Sequence, residues 1–344
     1  MLERTSLIVF VLVVLLILGA YLLGIASIEL VALLIGLLFV IEVGLNLWDR
    51  FRPQKTEKRP AAPDEEQYLR GRLNAFKQEE DRFIALAGEA IETRFEAYSA
   101  AFLTSHPGQP LKEYTDVADA VNDYRQFVIV GDPGTGKSTS LRYLASKAAQ
   151  ARLESKSVPL PLWIDLGSSA NPPDAEQLLD HWWSEYGLPG DAKRALINAD
   201  VWLFLDGLNE MPEQNGSRKE RAESLRKLIE HYPDVCVNVT CRVRDYEDDL
   251  KLGELPVVRV LPLDQGRTDQ FVRRRLPELA DELISKLHGN EALQRMAANP
   301  YNLVMLIEVY RARRTLPADL NDLYRLYVLE TYKAYAKRGL LRLK

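Results

Sequence analysis

Apolar residues along this chain follow three successive rhythms. From Leu7 to Leu23 there are only apolar residues, Gly19 and Tyr21, and a second apolar run spans Leu30–Leu47, broken by Glu42 and Asn46. Each run is about long enough to cross a hydrocarbon core as a helix. Gly24, Ile25, Ala26, Ser27 and Glu29 between them can form a tight turn, so residues 1–48 are predicted to form a transmembrane hairpin. A single anchor or a cleaved signal peptide is the alternative; the long first run, Arg4 offset by Glu3, and the second run favour the hairpin. Residues 49–63, with their prolines and charges, read as a linker. In 64–105, Leu69, Leu73, Phe76, Phe83, Ile84, Ala87, Ile91, Phe95, Tyr98 and Phe102 recur at spacings of three, four or seven. That rhythm predicts an amphipathic helical segment, which either packs on its own domain or forms a stalk or oligomer contact.

Beyond the breakers of Thr104–Pro110 the rhythm alternates. Short, nearly continuous apolar runs at 127–130, 160–166, 201–205, 235–240 and 257–261 read as strands. Helical patterns lie between them at 139–154, 175–186 and 218–231. Apolar strands joined by helices predict a parallel sheet covered on both faces. After Leu263 only helical patterns remain, at 269–276, 278–287, 291–298, 301–314 and 319–338. The fold class is therefore α/β: a parallel sheet with helices on both faces over 106–263, which the motif described below makes a P-loop NTPase sheet, then a helical domain over 264–344, with two transmembrane helices ahead of both.

Composition changes this picture little. Of 344 residues, 47% are hydrophobic and 27% charged, enough for a large core, and a net charge of −5 argues against a dominant nucleic-acid surface. Cys236 and Cys241 share one strand-like run, where residues five apart cannot easily reach disulfide distance, so free thiols are expected. His106, His181, His231 and His288 show no zinc-ligand spacing. Arg50, Arg52, Lys55, Lys58 and Arg59 outnumber Asp49 and Glu57 just after Trp48, which assigns the C-terminal side of the hairpin to the cytoplasm. Glu42 is either an intramembrane carboxylate or a solvated group near the interface.

The chemistry starts at Gly131-Asp132-Pro133-Gly134-Thr135-Gly136-Lys137-Ser138, followed by Thr139. It fits G-x-x-x-x-G-K-[ST] and lies between a strand and a helix, the context this phosphate-binding loop requires. Glycines let backbone N–H groups converge on phosphate oxygens, and the helix N-terminus adds partial positive charge. Lys137 can neutralise β- and γ-phosphates, and Ser138 can hold Mg²⁺. Val201–Leu205 is an apolar strand ending in Asp206, a second candidate Mg²⁺ ligand. No N-K-x-D guanine motif is found, and the family resemblance described next implies adenine, so ATP/ADP with Mg²⁺ is the expected cofactor set.

Asp206-Gly207-Leu208-Asn209-Glu210-Met211-Pro212 brings a resemblance. Together with the P-loop, Val239-Thr240-Cys241-Arg242 and Ala298-Asn299-Pro300-Tyr301, it resembles the NACHT family, within the STAND class of signal-transduction ATPases, over residues 110–315. The resemblance implies that Gly207 is the small residue after the magnesium Asp. It implies that Glu210 orients or deprotonates the attacking water, and that Arg242 senses the γ-phosphate. Pro300 would pack near the adenine, or it is a plain helix-start proline. Asn209 stands where the family commonly has an acid, which leaves the magnesium shell less negative and suggests slow turnover. The residues after the sheet leave room for one helical domain and no repeat array, so either an unknown protein or ligand sensor is the partner, or the chain is a truncated or minimal version.

The function implied is a membrane-anchored, multi-pass ATP hydrolase whose ATPase domain is cytoplasmic. Slow hydrolysis would switch its conformation or its homo-oligomerisation for signalling, for example in prokaryotic defence, with the lipid bilayer as a partner. A membrane-tethered AAA+-like motor or chaperone is the second reading, with Arg242 or Arg273–Arg275 as intersubunit donors. A scaffold with a degenerate site is the third.

Overall fold

The computed structural model describes residues 65–77, 86–91, 112–155, 157–213, 216–247 and 249–337, all within one compact unit, Ala62–Lys344. The predicted hairpin, the linker and most of 78–111 lie outside the described residues. Among the described residues no helix is long and apolar enough to cross a membrane.

Seven strands form one sheet: β1 (Gly88–Ile91), β2 (Lys112–Tyr114), β3 (Gln126–Gly131), β4 (Leu160–Asp165), β5 (Val201–Asp206), β6 (Cys236–Arg242) and β7 (Val257–Val260). Their spatial order is β2-β1-β7-β3-β6-β5-β4. β7, β3, β6, β5 and β4 run parallel, while β1 pairs antiparallel with β7 and β2 with β1. The helices are α1 (Glu65–Lys77), α2 (Lys137–Glu154), α3 (Ala175–Glu185), α4 (Ala192–Ile197), α5 (Arg218–His231), α6 (Gln265–Arg275), α7 (Ala280–His288), α8 (Glu291–Ala297), α9 (Pro300–Arg313) and α10 (Leu320–Lys337).

The parallel strands are apolar on both faces because both are covered. Side chains alternate across the pleat. Val128, Val130, Leu203 and Leu205 face a core shared with Leu178 and Leu179 of α3 and Leu225 and Ile229 of α5. Phe127, Ile129 and Phe204 face a second core with Leu141 and Leu144 of α2. That second core continues through Phe271 and Val272 of α6 into Leu306 and Tyr310 of α9, so the helical part shares buried surface with the sheet.

Residues 88–91, read from sequence as part of a helix, are a strand. The apolar spacing there fits a helix, but the deciding contacts are distant. Glu89 is buried and pairs with Arg259 of β7, and a Cβ on Gly88 would lie 2.3 Å from Val117 Cγ2. Only glycine lets the backbone approach so closely. Among the described residues of that segment, helix α1 covers the edge of the sheet. Tyr68 donates its hydroxyl to Pro161 O (3.0 Å) and accepts from Trp163 N–H (3.1 Å). Peptide groups of edge strand β4 are thereby satisfied. Arg152, in the last turn of α2, ties α1 down through Glu65 (2.9 Å) and also holds Asp200 (2.6 Å) and Val158 O (2.6 Å).

Candidate functional site

The C-terminal ends of the parallel strands carry the candidate residues, where ligands bind in open α/β sheets. The loop after β3 is built by its glycines. Gly134 and Gly136 have φ of +76° and +93°, a left-handed region that side chains disfavour. A Cβ on Gly136 would meet Leu86 Cδ1 at 2.8 Å, so the segment leading into β1 lies against the loop. Thr135 is buried and donates its hydroxyl to Asp132 O (2.8 Å), closing the loop on itself.

Lys137 opens α2 and donates Nζ to the carbonyls of Gly131 and Asp132, both at 2.8 Å. Among the described residues no carboxylate forms an ion pair with it. Burial pushes its pKa below the usual lysine value, more than the surrounding charges restore. A partly desolvated ammonium with only neutral acceptors gains most from an arriving phosphate.

Asp206 ends β5. Its Oδ1 accepts from Ser138 Oγ (2.8 Å) and from Thr240 Oγ1 (2.6 Å). Thr240 in turn accepts from Gly207 N–H (2.8 Å), which directs its single hydroxyl proton at Asp206. Register explains the meeting. β6 lies between β3 and β5, pairing Gly131 with Arg242 and Leu205 with Val239, so Thr240 stands between the P-loop and Asp206. Magnesium bound largely by phosphate and water takes one or two protein oxygens, and Ser138 and Asp206 can supply them.

Gly207 follows with φ +81°, and a Cβ there would sit 3.3 Å from Glu210 Oε2. The turn Leu208–Glu210 needs this glycine, and it aims Glu210 back over the strand end. Arg242 reaches Glu210 at 3.7 Å, both side chains about half exposed. Asn209, read as a less negative member of the magnesium shell, is buried, and its Oδ1 accepts Arg242 N–H (3.1 Å). Its visible work is to fix the turn to β6.

A cleft of about 940 Å³ runs from the P-loop to α9 and α10. Pro133, Gly134, Gly136, Lys137, Ser138, Thr139, Glu210 and Arg242 line one side, and Pro300, Tyr301, Glu308, Arg311 and Lys333 the other. Nine of the thirteen candidate catalytic, nucleotide-binding and metal residues thus share one cleft, counting Pro300, and Gly207 and Asn209 line it too. Gly131, Asp132, Thr135 and Asp206 do not line it. Asp132 faces a smaller hollow with Arg244 and Asp245. The sequence reading assigned no role to Thr240, Asn299 or Leu86. Thr240 and Asn299 stand inside motifs it quoted, and Asn before Pro is a helix-start signal.

Residues 125–278 match the family model of the NACHT domain. No curated protein matches the chain. Partial likeness extends to solved structures. PCH-2 of C. elegans is 13% identical, with a TM-score of 0.34, over 69% of this chain and 66% of that one. The Walker-type ATPase paby2304 of Pyrococcus abyssi is 16% identical, with a TM-score of 0.36, over 65% and 72%. The RuvB Holliday junction branch migration motor of Thermotoga maritima is 13% identical, with a TM-score of 0.34, over 62% and 64%. The chain spans just under two thirds of PCH-2 and of RuvB. The P-loop and the strand-end Asp206 both fall inside the stretch 125–278 that matches the NACHT model, so this part of the chain is a P-loop nucleotide-binding domain similar to the NACHT domain.

Proposed function

We propose that the chain binds ATP with Mg²⁺ in this cleft and hydrolyses it slowly, as a switch rather than a motor. The observation that carries the reading is that Lys137, Ser138 and Thr240 line one wall of a cleft whose other wall is helical, with Ser138 and Thr240 both bonded to Asp206 behind that wall. Lys137 leaves its carbonyl partners for the β- and γ-phosphates. Ser138 and Asp206 would hold Mg²⁺, whose charge would offset that of the phosphates. Glu210 orients or deprotonates the attacking water, and Arg242 stabilises γ-phosphate charge. Slow turnover follows from two features. Glu210 faces a competing cation, Arg242, and the acid expected at 209 is an Asn tied to backbone.

Loss of the γ-phosphate changes the charge between the two walls, giving ATP and ADP different contacts with the helical part. A population shift requires such a difference. The apolar runs Leu7–Leu23 and Leu30–Leu47 support a membrane anchor with the ATPase on the cytoplasmic side. Homo-oligomerisation on activation, a separate sensor, and a signalling output such as prokaryotic defence complete the proposal.

Two measurements test it: nucleotide retained through purification, and steady-state turnover. Retained ADP with turnover well below about 1 per second supports the switch; an empty site with rapid hydrolysis replaces it with the motor. Glu210→Gln lowers turnover by about 10²–10⁴-fold with ATP affinity preserved. Unchanged turnover removes Glu210 from the mechanism.

A further inference from the structure

The N-terminus of α9 is hung on the phosphate loop itself. Asn299 caps α9, its Oδ1 accepting from Tyr301 N–H (3.0 Å) and Asn302 N–H (3.3 Å). The same amide donates Nδ2 to Pro133 O at 3.0 Å. Tyr301 N–H also lies 3.3 Å from Gly134 O. Fit is close on both sides: a Cβ on Gly134 would meet Asn299 Oδ1 and Tyr301 Cβ at 3.0 Å each.

These contacts set the direction of two peptide groups. In a trans peptide the carbonyl and the following N–H point opposite ways. Holding Pro133 O toward α9 fixes where Gly134 N–H points, and holding Gly134 O fixes Thr135 N–H. Pro133 has no N–H of its own, and Thr135 N–H is turned back onto Asp132 O (3.3 Å), so Gly134 carries the first donor after Asp132 for an anion cradled by the loop. The bonding capacity of Asn299 is divided between helix and loop. Oδ1 is used within the helix, and Nδ2 is used on the loop.

We propose that Asn299 is a positioning residue for nucleotide binding: through Nδ2 it pre-orients the phosphate loop and couples that loop to α9. The inference rests on the nucleotide-binding reading above. It gives the helical wall a second role besides closing the cleft. Because coupling is reciprocal, nucleotide that fixes the loop also firms the first turn of α9.

Two variants separate helix capping from loop orientation. Asn299→Ser keeps an N-cap oxygen but is too short to span to Pro133 O; Asn299→Ala loses both. Both are expected to raise the Kd for ADP and ATP by about three- to tenfold, the worth of one hydrogen bond. Only Asn299→Ala should lower Tm measurably. In Asn299→Ser the KM for ATP rises while kcat stays within about twofold. ADP slows amide exchange at Tyr301 and Asn302 in the wild type and does so less in Asn299→Ser. Wild-type Kd and KM in Asn299→Ser, with weakened binding only in Asn299→Ala, would reduce Asn299 to a helix cap and overturn the proposal. Lys137→Met is the control for the underlying reading. If it binds nucleotide like the wild type, or if the wild type binds none, the site assignment itself fails and the inference with it.

Discussion

Lys137 and Arg152 stand at the two ends of one helix and are held in opposite ways. Lys137, in the first turn of α2, rests on two backbone carbonyls, and burial lowers its pKa. Arg152, in the last turn, is also desolvated, but hydrogen bonds and charge from Glu65 and Asp200 more than offset that and raise its pKa. Its side chain is 7% exposed. Lys137 has partners it can exchange, because neutral carbonyls cost little to leave when phosphate arrives. Arg152 has partners it cannot leave without stranding a buried carboxylate. One end of α2 is kept ready for a ligand; the other anchors the helix, and with it α1 and the sheet edge. Position at the C-terminal or N-terminal edge of the sheet, rather than residue type, decides which.

The largest effect should come from breaking the anchored end. Arg152→Met removes the buried guanidinium that holds Glu65, whose side chain is 12% exposed, and removing one partner of a mostly buried pair costs about 3 kcal/mol. Urea unfolding should show that loss as a lower midpoint at unchanged slope. Nucleotide affinity of the folded fraction should stay at the wild-type value. A variant as stable as the wild type would mean that the Arg152 network is only a surface feature.

Lys137→Met should do the reverse. Affinity for ATP should fall by about a hundredfold, the scale of charge-assisted contacts to two phosphates. Stability should be unchanged or slightly raised, because a desolvated ammonium is removed. Functional groups held in costly surroundings commonly show this trade. A large fall in stability would show that Lys137 is structural and erase the contrast.

The two carboxylates on Arg152 sharpen the comparison further. Glu65 is 12% exposed and Asp200 52% exposed on their side chains. Glu65→Gln keeps a hydrogen bond but loses its charge, for about 1 kcal/mol. Asp200→Asn, screened by solvent, should cost no more than about 0.5 kcal/mol. Equal costs would place the anchor at Asp200 and remove α1 from it.

What was legible in the sequence follows the range of each signal. The parallel strands announced themselves because a buried central strand must be apolar throughout, and α5 was read at its observed bounds, Arg218–His231. The P-loop and Asp206 were legible because their chemistry is local. β1 was misread because its partner, Arg259, is 170 residues away, and apolar spacing alone cannot distinguish a buried strand edge from a helix face. β2 is three residues long with one buried, too short for a period. The helix-start signal at Asn299-Pro300 was on the page, but its acceptor, Pro133 O, is 166 residues distant. The site residues were therefore visible one by one, whereas the contacts that orient them (Thr240 on Asp206, Asn299 on the loop) depended on strand order and on where α9 docks.

The smallest expected effect is the one most particular to the contrast, a dependence on alkaline pH. In the folded protein Lys137 loses its proton below the usual lysine range near pH 10.4. Between its lowered folded value and that range the unfolded chain binds more protons, so this group makes stability rise with pH. Nucleotide affinity moves the other way. Phosphate favours the protonated lysine, so the complex holds a proton that the free protein has already released, and binding weakens as pH climbs through the same window. Arg152, whose pKa is raised, contributes to neither trend. Thiols and phenols of the unfolded chain also titrate in that range, so the quantity to compare is the wild type minus Lys137→Met, in urea midpoints and in ADP affinity, from pH 8 to 10. Opposite slopes in those two differences are the signature of a lysine desolvated for a ligand. Flat differences would mean that Lys137 is solvated like any surface lysine, and that the two ends of α2 differ only in their partners.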